Sequence, residues 1–161
     1  MGSKLDSPLS EKGRALAAQK GESLKAEGFV PSKVYASKLM RAKQTADIIL
    51  ATLGVSVPVV ELASLNERDF GKYDGKPYKH VLKAFDEEGA NPETIESVDA
   101  FVSRVLEGYE YIKHEMNGAT LVVTHSNPEM VMQAAALSPS NLQKFWELGD
   151  PPYCEGFTVE L

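Results

Sequence analysis

The sequence predicts an α/β fold, a three-layer sandwich in which a mostly parallel sheet carries helices on both faces. Short β-branched runs alternate with stretches of helical pattern and length, and this alternation is typical of parallel strands joined by helical crossovers. The run Ala119 to Thr124 is apolar and β-branched, which favours a strand buried on both faces of the sheet. Because a chain of 161 residues without internal repeat or linker suits one domain, we assign residues 1–161 to a single domain.

The predicted helices begin and end at local signals. Ser10 is a candidate N-cap for a helix that runs to Glu27 and stops at Gly28, since glycine readily takes the left-handed conformation that ends helices. A second helix is predicted to stop at Gly54 for the same reason. The second and later helices are predicted over residues 39–53, 78–88, 97–116, 128–137 and 140–148.

The predicted strands lie between these helices. They cover residues 33–37, 55–62, 119–124 and 156–161. Pro58 lacks a backbone N–H, so it favours an edge position for the second strand. The charged, glycine-containing stretch 64–77 is predicted as a loop.

The composition excludes several classes of function. A net charge of −6 argues against nonspecific nucleic-acid binding, which needs a basic surface. No apolar run approaches the roughly 20 residues of a membrane span, and no secretory leader is readable. The one cysteine, Cys154, rules out an internal disulfide and is expected to be a structural thiol in a reducing compartment, so we expect a cytoplasmic protein. A small anionic substrate stays open, because a few converging arginines attract phosphate on an acidic protein.

Reactive side chains follow three of the predicted strands, where parallel sheets collect their functional groups. Arg41 lies in the first turn of the helix after strand 33–37, and it either grips a phosphate together with backbone N–H groups or is an exposed surface arginine. Glu67 lies in a charged loop, Glu67-Arg68-Asp69. A partly desolvated carboxyl group there would have a raised pKa and act as general acid. The alternative is a solvated charged loop.

His125 is the strongest candidate among the three histidines. It leaves the apolar strand and precedes a helix, so it either meets an anion or is a buried structural histidine. His80 and His114 lie in helical stretches and are expected on the surface. No spacing of histidines and cysteines suits a metal, and no glycine-rich nucleotide motif occurs, so we expect no metal and no cofactor.

In order along the chain, these segments resemble the histidine phosphatase superfamily, of the phosphoglycerate-mutase-like kind. The matching segments are Pro8-Leu9-Ser10-Glu11-Lys12-Gly13, Ser37-x-Leu39-x-Arg41-Ala42-x-Gln44-Thr45-Ala46, Leu65-Asn66-Glu67-Arg68-Asp69-Phe70-Gly71 with Gly75, Glu96-Ser97 with Phe101 to Arg104, and Val122-Val123-Thr124-His125. They extend over nearly the whole chain.

The resemblance implies a reaction and a set of roles. Family members hydrolyse or transfer phosphomonoesters through a phosphohistidine, without a metal. By resemblance, Arg41 is a phosphate-binding arginine, Glu67 is the general acid, and His125 stabilises the transferring phosphoryl group. Ser126 and Arg68, beside them, are further candidates for substrate binding. The implied ligand is a small phosphorylated metabolite or a phosphate ion. The loop 69–75 and the short chain favour a phosphatase over a glycolytic-type mutase.

The sequence also departs from the family pattern. Family members begin with a strand that ends in Arg-His-Gly and supplies the nucleophile, whereas here seven residues precede Pro8 and no Arg-His-Gly occurs. We therefore expect a chain that lacks the first central strand, is truncated at its N-terminus and is inactive as given. The alternative is a non-catalytic phosphate-binding or protein-binding pseudophosphatase. A gap in the sheet would leave strand edges unpaired, which favours a dimer or strand exchange.

Overall fold

The computed structural model describes residues 2–77, 80, 95–137, 139–149, 151–152 and 154–158. Its helices and strands are, in chain order, α1 (Glu11–Ala26), β1 (Lys33–Ser37), α2 (Met40–Leu53), β2 (Val59–Leu62), α3 (Val98–Glu115), β3 (Thr120–Val123) and α4 (Ser126–Leu137). Single 3₁₀ turns cover Ala63–Leu65 and Gly71–Tyr73, and a longer 3₁₀ segment covers Pro139–Leu148. The elements alternate as the sequence predicts.

The helix ends lie where their local signals predicted them. The Ser10 hydroxyl accepts a hydrogen bond from the Gly13 N–H at 3.1 Å, which satisfies one of the free donors in the first turn of α1. Ser97 caps α3 in the same way, through the Ala100 N–H. Gly28 and Gly54 follow α1 and α2 with φ of +71° and +75°, the left-handed conformation that glycine adopts without strain.

The three described strands form one parallel sheet in the order β2-β1-β3. In β1, Val34 pairs with Val59 of β2 on one side and with Leu121 of β3 on the other. Among the described strands, β2 lies at one edge of the sheet, as Pro58 predicts. The strand is shorter than predicted, because it begins at Val59 and proline has no N–H to donate to the ladder.

Side chains of the sheet alternate between two helical layers. Tyr35 and Val122 face a cluster that includes Phe101 and Val105 of α3 and Val131 of α4. The cluster on the opposite face comprises side chains of β1, β3 and α2, namely Val34, Ala36, Val123, Ala42, Ala46 and Leu50. Helices therefore cover both faces of a parallel sheet, and the predicted three-layer α/β sandwich is confirmed.

Four predictions about single elements need correction or lie outside the described residues. The apolar strand is only half-buried at Thr120, Leu121 and Val122, because among the described strands β3 pairs with β1 alone. Residues 156–158 are in no strand, and 159–161 lie outside the described residues, as does the predicted helix 78–88 apart from His80. The predicted helix 140–148 is the 3₁₀ segment Pro139–Leu148.

Candidate functional site

The carboxyl ends of the three strands bring the predicted site residues together. Arg41 follows β1, Glu67 follows β2, and His125 lies two residues after the end of β3. All three strands are parallel, so their ends meet at one edge of the sheet. The positive charge of Arg41 acts on the pKa of both Glu67 and His125. The guanidinium, the carboxyl group and the imidazole therefore lie at the same edge of the sheet.

The His125 ring is held in one tautomer by a chain of hydrogen bonds. Its Nε2 lies 2.8 Å from the Oγ of the fully buried Ser37. The Ser37 hydroxyl is 3.0 Å from Asn66 Oδ1, which also accepts from the Lys38 N–H at 3.0 Å. Because the single Ser37 proton goes to Asn66, the Nε2 of His125 must donate to Ser37. The other ring nitrogen, Nδ1, therefore carries the lone pair of the neutral ring.

His125 is neutral at physiological pH in this environment. Burial, together with the positive charges of Arg41 and Arg104, lowers its pKa to about 3. A cationic ring would lose hydration and lie near two other cations. The ring therefore gains a proton readily only when an anion enters the site.

Glu67 is buried at the same edge, with 4% of its surface exposed. Its Oε1 accepts hydrogen bonds from the Arg68 N–H at 2.8 Å and from Asn127 Nδ2 at 2.9 Å. Burial raises the pKa of the Glu67 carboxyl group, while these two hydrogen bonds and the charge of Arg41 act to lower it. A raised pKa is the direction expected for a general acid. The role of Glu67 as general acid stays a prediction.

Arg41 contacts the chain's own N-terminal segment. Its Nη1 donates to the Leu5 carbonyl at 3.1 Å, and its Nη2 donates to the Gly2 carbonyl at 2.9 Å. Asp6 Oδ1 accepts from the Met40 N–H in the first turn of α2 at 2.6 Å. Burial lowers the pKa of Arg41, but an arginine remains charged at any physiological pH. The groups predicted to grip a phosphate thus hold two carbonyls and a carboxylate.

The remaining predicted residues lie around this centre. Ser126 is half-buried as the first residue of α4. Arg68 is buried, and its Nε and Nη2 donate to the Glu96 carbonyl at 3.0 and 2.8 Å. That contact favours a supporting position for Arg68, and substrate binding by either residue stays a prediction. His80 and His114 are exposed, as predicted.

The sequence pattern assigns no role to Arg104, Ser37, Asn66 or Asn127. The sequence does hold a signal that could identify Arg104, because this residue lies on the apolar stripe of α3 with Phe101 and Gly108. A single arginine on a buried stripe indicates an internal partner. The other three are small polar residues whose partners are distant in sequence, so no local pattern identifies them.

Two further observations concern the described part of the chain. No helix there is long and apolar enough to cross a membrane. Within the same residues, no three side chains of histidine, cysteine, aspartate or glutamate lie close enough together to hold a metal ion. Cys154 is half-buried, and burial raises the pKa of its thiol, which favours the structural thiol that its sequence context predicts.

The fold agrees with the family that the sequence resembles. The chain belongs to the histidine phosphatase superfamily (branch 1), whose family model matches residues 1–155. It is 34% identical over 154 residues to the 2,3-bisphosphoglycerate-dependent phosphoglycerate mutase of Bradyrhizobium diazoefficiens, covering 86% of this chain and 74% of that protein. The predicted family resemblance is confirmed.

Solved structures give the same fold. A mycobacterial glucosyl-3-phosphoglycerate phosphatase matches with a TM-score of 0.72 at 25% identity, over 93% of this chain and 76% of that one. The same enzyme in complex with inorganic phosphate matches with a TM-score of 0.69 at 23% identity, over 89% and 77%. The similar proteins thus include both a mutase and a phosphatase.

The burial of Glu67 makes a prediction about stability. Because the folded-state pKa of Glu67 is raised, its contribution to stability is present below the unfolded pKa and is lost as the pH rises through the folded pKa. We expect Glu67→Gln to raise the free energy of unfolding by about 1–2 kcal/mol at pH 7, since the amide oxygen keeps the bonds from Arg68 and Asn127. Below about pH 4 the gain should disappear.

Urea unfolding at pH 7 and pH 4 measures this difference. The matched control is Glu107→Gln, at an exposed position of α3, which should change stability by less than about 0.5 kcal/mol at either pH. An equal gain from Glu67→Gln at both pH values would mean that the buried charge is not its cause.

Proposed function

We propose that the edge formed by Arg41, Glu67 and His125 binds the phosphate group of a small phosphorylated metabolite, or a phosphate ion. The observation that carries the proposal is the convergence of these three groups at the carboxyl ends of β1, β2 and β3. Arg41 supplies a planar pair of donors for phosphate oxygens, and the first turn of α2 supplies backbone N–H groups. The phosphate complex of the mycobacterial relative supports the same ligand class.

The protonation states suit phosphoryl transfer. Arg41 would balance negative charge on the phosphoryl oxygens, and a bound dianion would raise the pKa of His125 and let Nδ1 donate to it. Glu67, with a raised pKa, is suited to protonate a leaving-group oxygen. We therefore assign Arg41 to binding and Glu67 and His125 to the reaction. Ser126 and Arg68 are secondary candidates for contact with the rest of the substrate.

Hydrolysis of a phosphomonoester by this polypeptide would require a histidine that can act as the nucleophile. The three histidines of the sequence are His80, His114 and His125. The first two are exposed, and Nε2 of His125 is committed to Ser37. Attack through a phosphohistidine would need a further histidine in the site, so we propose that these 161 residues bind phosphate without hydrolysing phosphomonoesters. Among family reactions we favour phosphatase chemistry. A glycolytic-type mutase is the second candidate, because a curated relative with that activity is 34% identical.

Location and assembly are part of the proposal. We place the protein in the cytoplasm, which the single half-buried cysteine supports. The edge of β3 opposite β1 has no strand neighbour among the described residues. We also propose that this edge takes part in a dimer or a strand exchange, since an unpaired edge can pair with a strand of another chain. The absence of a first central strand stays a prediction of the sequence.

Titration with inorganic phosphate, followed by calorimetry and by amide NMR, tests the binding site. We expect Arg41→Met to weaken phosphate binding about 10- to 100-fold, because charge-assisted hydrogen bonds are lost. Arg14→Met is the matched control, since Arg14 is exposed on α1, and it should bind phosphate as the wild type does. Equal affinity in Arg41→Met would place the phosphate elsewhere and contradict the proposal.

Incubation with p-nitrophenyl phosphate tests turnover in the same preparations. We expect no release of p-nitrophenol above the buffer rate. Titration of 3-phosphoglycerate, compared with inorganic phosphate, then shows whether the rest of the ligand adds affinity, as the mutase candidate requires. Hydrolysis that is lost in His125→Ala and accompanied by an acid-labile phosphoprotein would overturn the proposed inactivity.

A further inference from the structure

We infer that Arg104 is a positioning residue, which holds both Glu67 and His125 in place by clamping the backbone of residues 64–67. The inference rests on the proposed function, because it concerns how that same site is built. Arg104 lies on α3, and its guanidinium is turned toward this loop, with about a quarter of the side chain exposed.

The Arg104 guanidinium uses all of its donors. Its Nε and Nη2 donate to the two carboxylate oxygens of Glu96 at 2.6 and 2.9 Å. Its Nη1 donates to the carbonyls of Ser64 and Asn66, both at 2.9 Å, and Nη2 also donates to the Glu67 carbonyl at 3.1 Å. Five hydrogen bonds match the five N–H groups of an arginine. Glu96 fixes the plane of the guanidinium, and the loop carbonyls accept from its remaining N–H groups.

The loop is fixed from a second side as well. The one carbonyl of residues 64–67 that Arg104 does not reach, that of Leu65, accepts from the Thr124 hydroxyl at 2.7 Å. Thr124 directly precedes His125. Four consecutive carbonyls are therefore bound by side chains of α3 and of the segment after β3. A loop held at every carbonyl has little freedom to shift.

Both proposed catalytic groups depend on this loop. The Glu67 side chain leaves it directly, and Asn66 takes the Ser37 proton, which in turn fixes the tautomer of His125. A displaced loop would therefore disturb the carboxyl group and the imidazole together. Lysine cannot replace the clamp, because an ammonium group has three donors and no planar fork. Arg104 is thus specified by geometry and not by charge alone.

Gly108 provides a second way to move the loop. A Cβ atom at this position, one turn after Arg104, would lie 2.3 Å from Ser64 Oγ and 2.8 Å from Ser64 Cβ. Because real Cβ atoms do not approach that closely, Gly108→Ala must displace Ser64 and the loop, while the charge of Arg104 is unchanged.

The experiment compares Arg104→Lys and Gly108→Ala with the matched control Arg14→Lys. The His125 tautomer is read from the ring ¹⁵N shifts, the phosphate affinity from titration with inorganic phosphate, and folding from circular dichroism. We expect both loop variants to lose the pure Nε2–H tautomer of His125 and to bind phosphate about tenfold more weakly. Arg14→Lys should match the wild type in both readouts.

The outcomes separate the clamp from the proposed function. If a folded Arg104→Lys keeps the wild-type tautomer and affinity, the clamp is wrong and the phosphate site stands. If the wild type binds no phosphate but Arg104→Lys loses the tautomer, the proposed function fails and the clamp is supported. Should Arg104→Lys not fold, Gly108→Ala decides: a folded Gly108→Ala with the wild-type tautomer overturns the clamp, and a changed tautomer supports it.

Discussion

Acidification is expected to cost the folded chain roughly 2–3 kcal/mol between pH 7 and pH 4 through His125 alone. The pKa of His125 is about 3 in the folded state, whereas an unfolded histidine titrates near 6.5. Below pH 6.5 the His125 ring therefore binds a proton in the unfolded chain but not in the folded chain. The stability contributed by this group is present above the unfolded pKa and is lost as the pH falls toward the folded pKa.

His125→Gln isolates this contribution. The amide Nε2 of glutamine can still donate toward Ser37, but the side chain does not titrate. We expect the free energy of unfolding of His125→Gln, measured in urea at intervals from pH 7 to pH 4, to fall less steeply than that of the wild type. Glu67 has the opposite effect on the pH dependence of stability, and it is present in both proteins. The measured quantity is therefore the difference in the free energy of unfolding between wild type and His125→Gln at each pH. His80→Gln, at an exposed position, is the control. Parallel curves for wild type and His125→Gln would show that His125 titrates normally.

The same low pKa has a functional consequence. His125 is neutral beside Arg41 and Arg104, the two cations whose positive charge helps to lower its pKa. A bound phosphate dianion would offset that charge and raise the pKa of His125. Binding would then take up a proton, so the site's affinity for the dianion should fall as the pH rises from the free-state pKa of about 3 to the bound-state pKa of His125, and should level off above it.

The fold was predictable wherever its signals are local. Ser10 and Ser97 cap helices through N–H groups three residues away, and Gly28 and Gly54 end helices through their own φ angles. Such signals depend on a few neighbouring residues, and the sequence displays them directly. The half-burial of β3 was not predictable, because it depends on which strands lie beside it.

The site was predictable only in part, for a related reason. Arg41, Glu67 and His125 follow strands, and parallel strands bring their carboxyl ends to one edge. Arg104 binds backbone carbonyls up to 40 residues away, and Asn66 accepts from the Ser37 hydroxyl and the Lys38 N–H. Backbone carbonyls are identical in every residue type, so a side chain that binds them leaves no partner in the sequence pattern.

The N-terminal segment 2–6 is expected to compete with phosphate for Arg41. The guanidinium donates to the carbonyls of Gly2 and Leu5, and the carboxylate of Asp6 occupies the Met40 N–H in the first turn of α2. A phosphate that binds there must break these contacts and face the charge of Asp6. Deleting residues 2–5 should therefore tighten the binding of inorganic phosphate roughly 10- to 100-fold, since hydrogen bonds to a charged group are worth about 1.5–3 kcal/mol each.

Two substitutions separate this competition from a general effect of the segment. Gly2→Ala should act like the deletion, because a Cβ atom would lie 1.9 Å from Asp74 Oδ1 at a φ of +107° and so force the segment away from Arg41. Ser3→Ala is the control, because it leaves the backbone carbonyls in place. The Arg41 guanidinium and the Met40 N–H, which hold the segment, are also the donors that would bind phosphate. Thermal stability and phosphate affinity should therefore change in opposite directions in the deletion and in Gly2→Ala. If both variants lose stability and bind phosphate no more tightly, residues 2–6 support the site and do not compete for it.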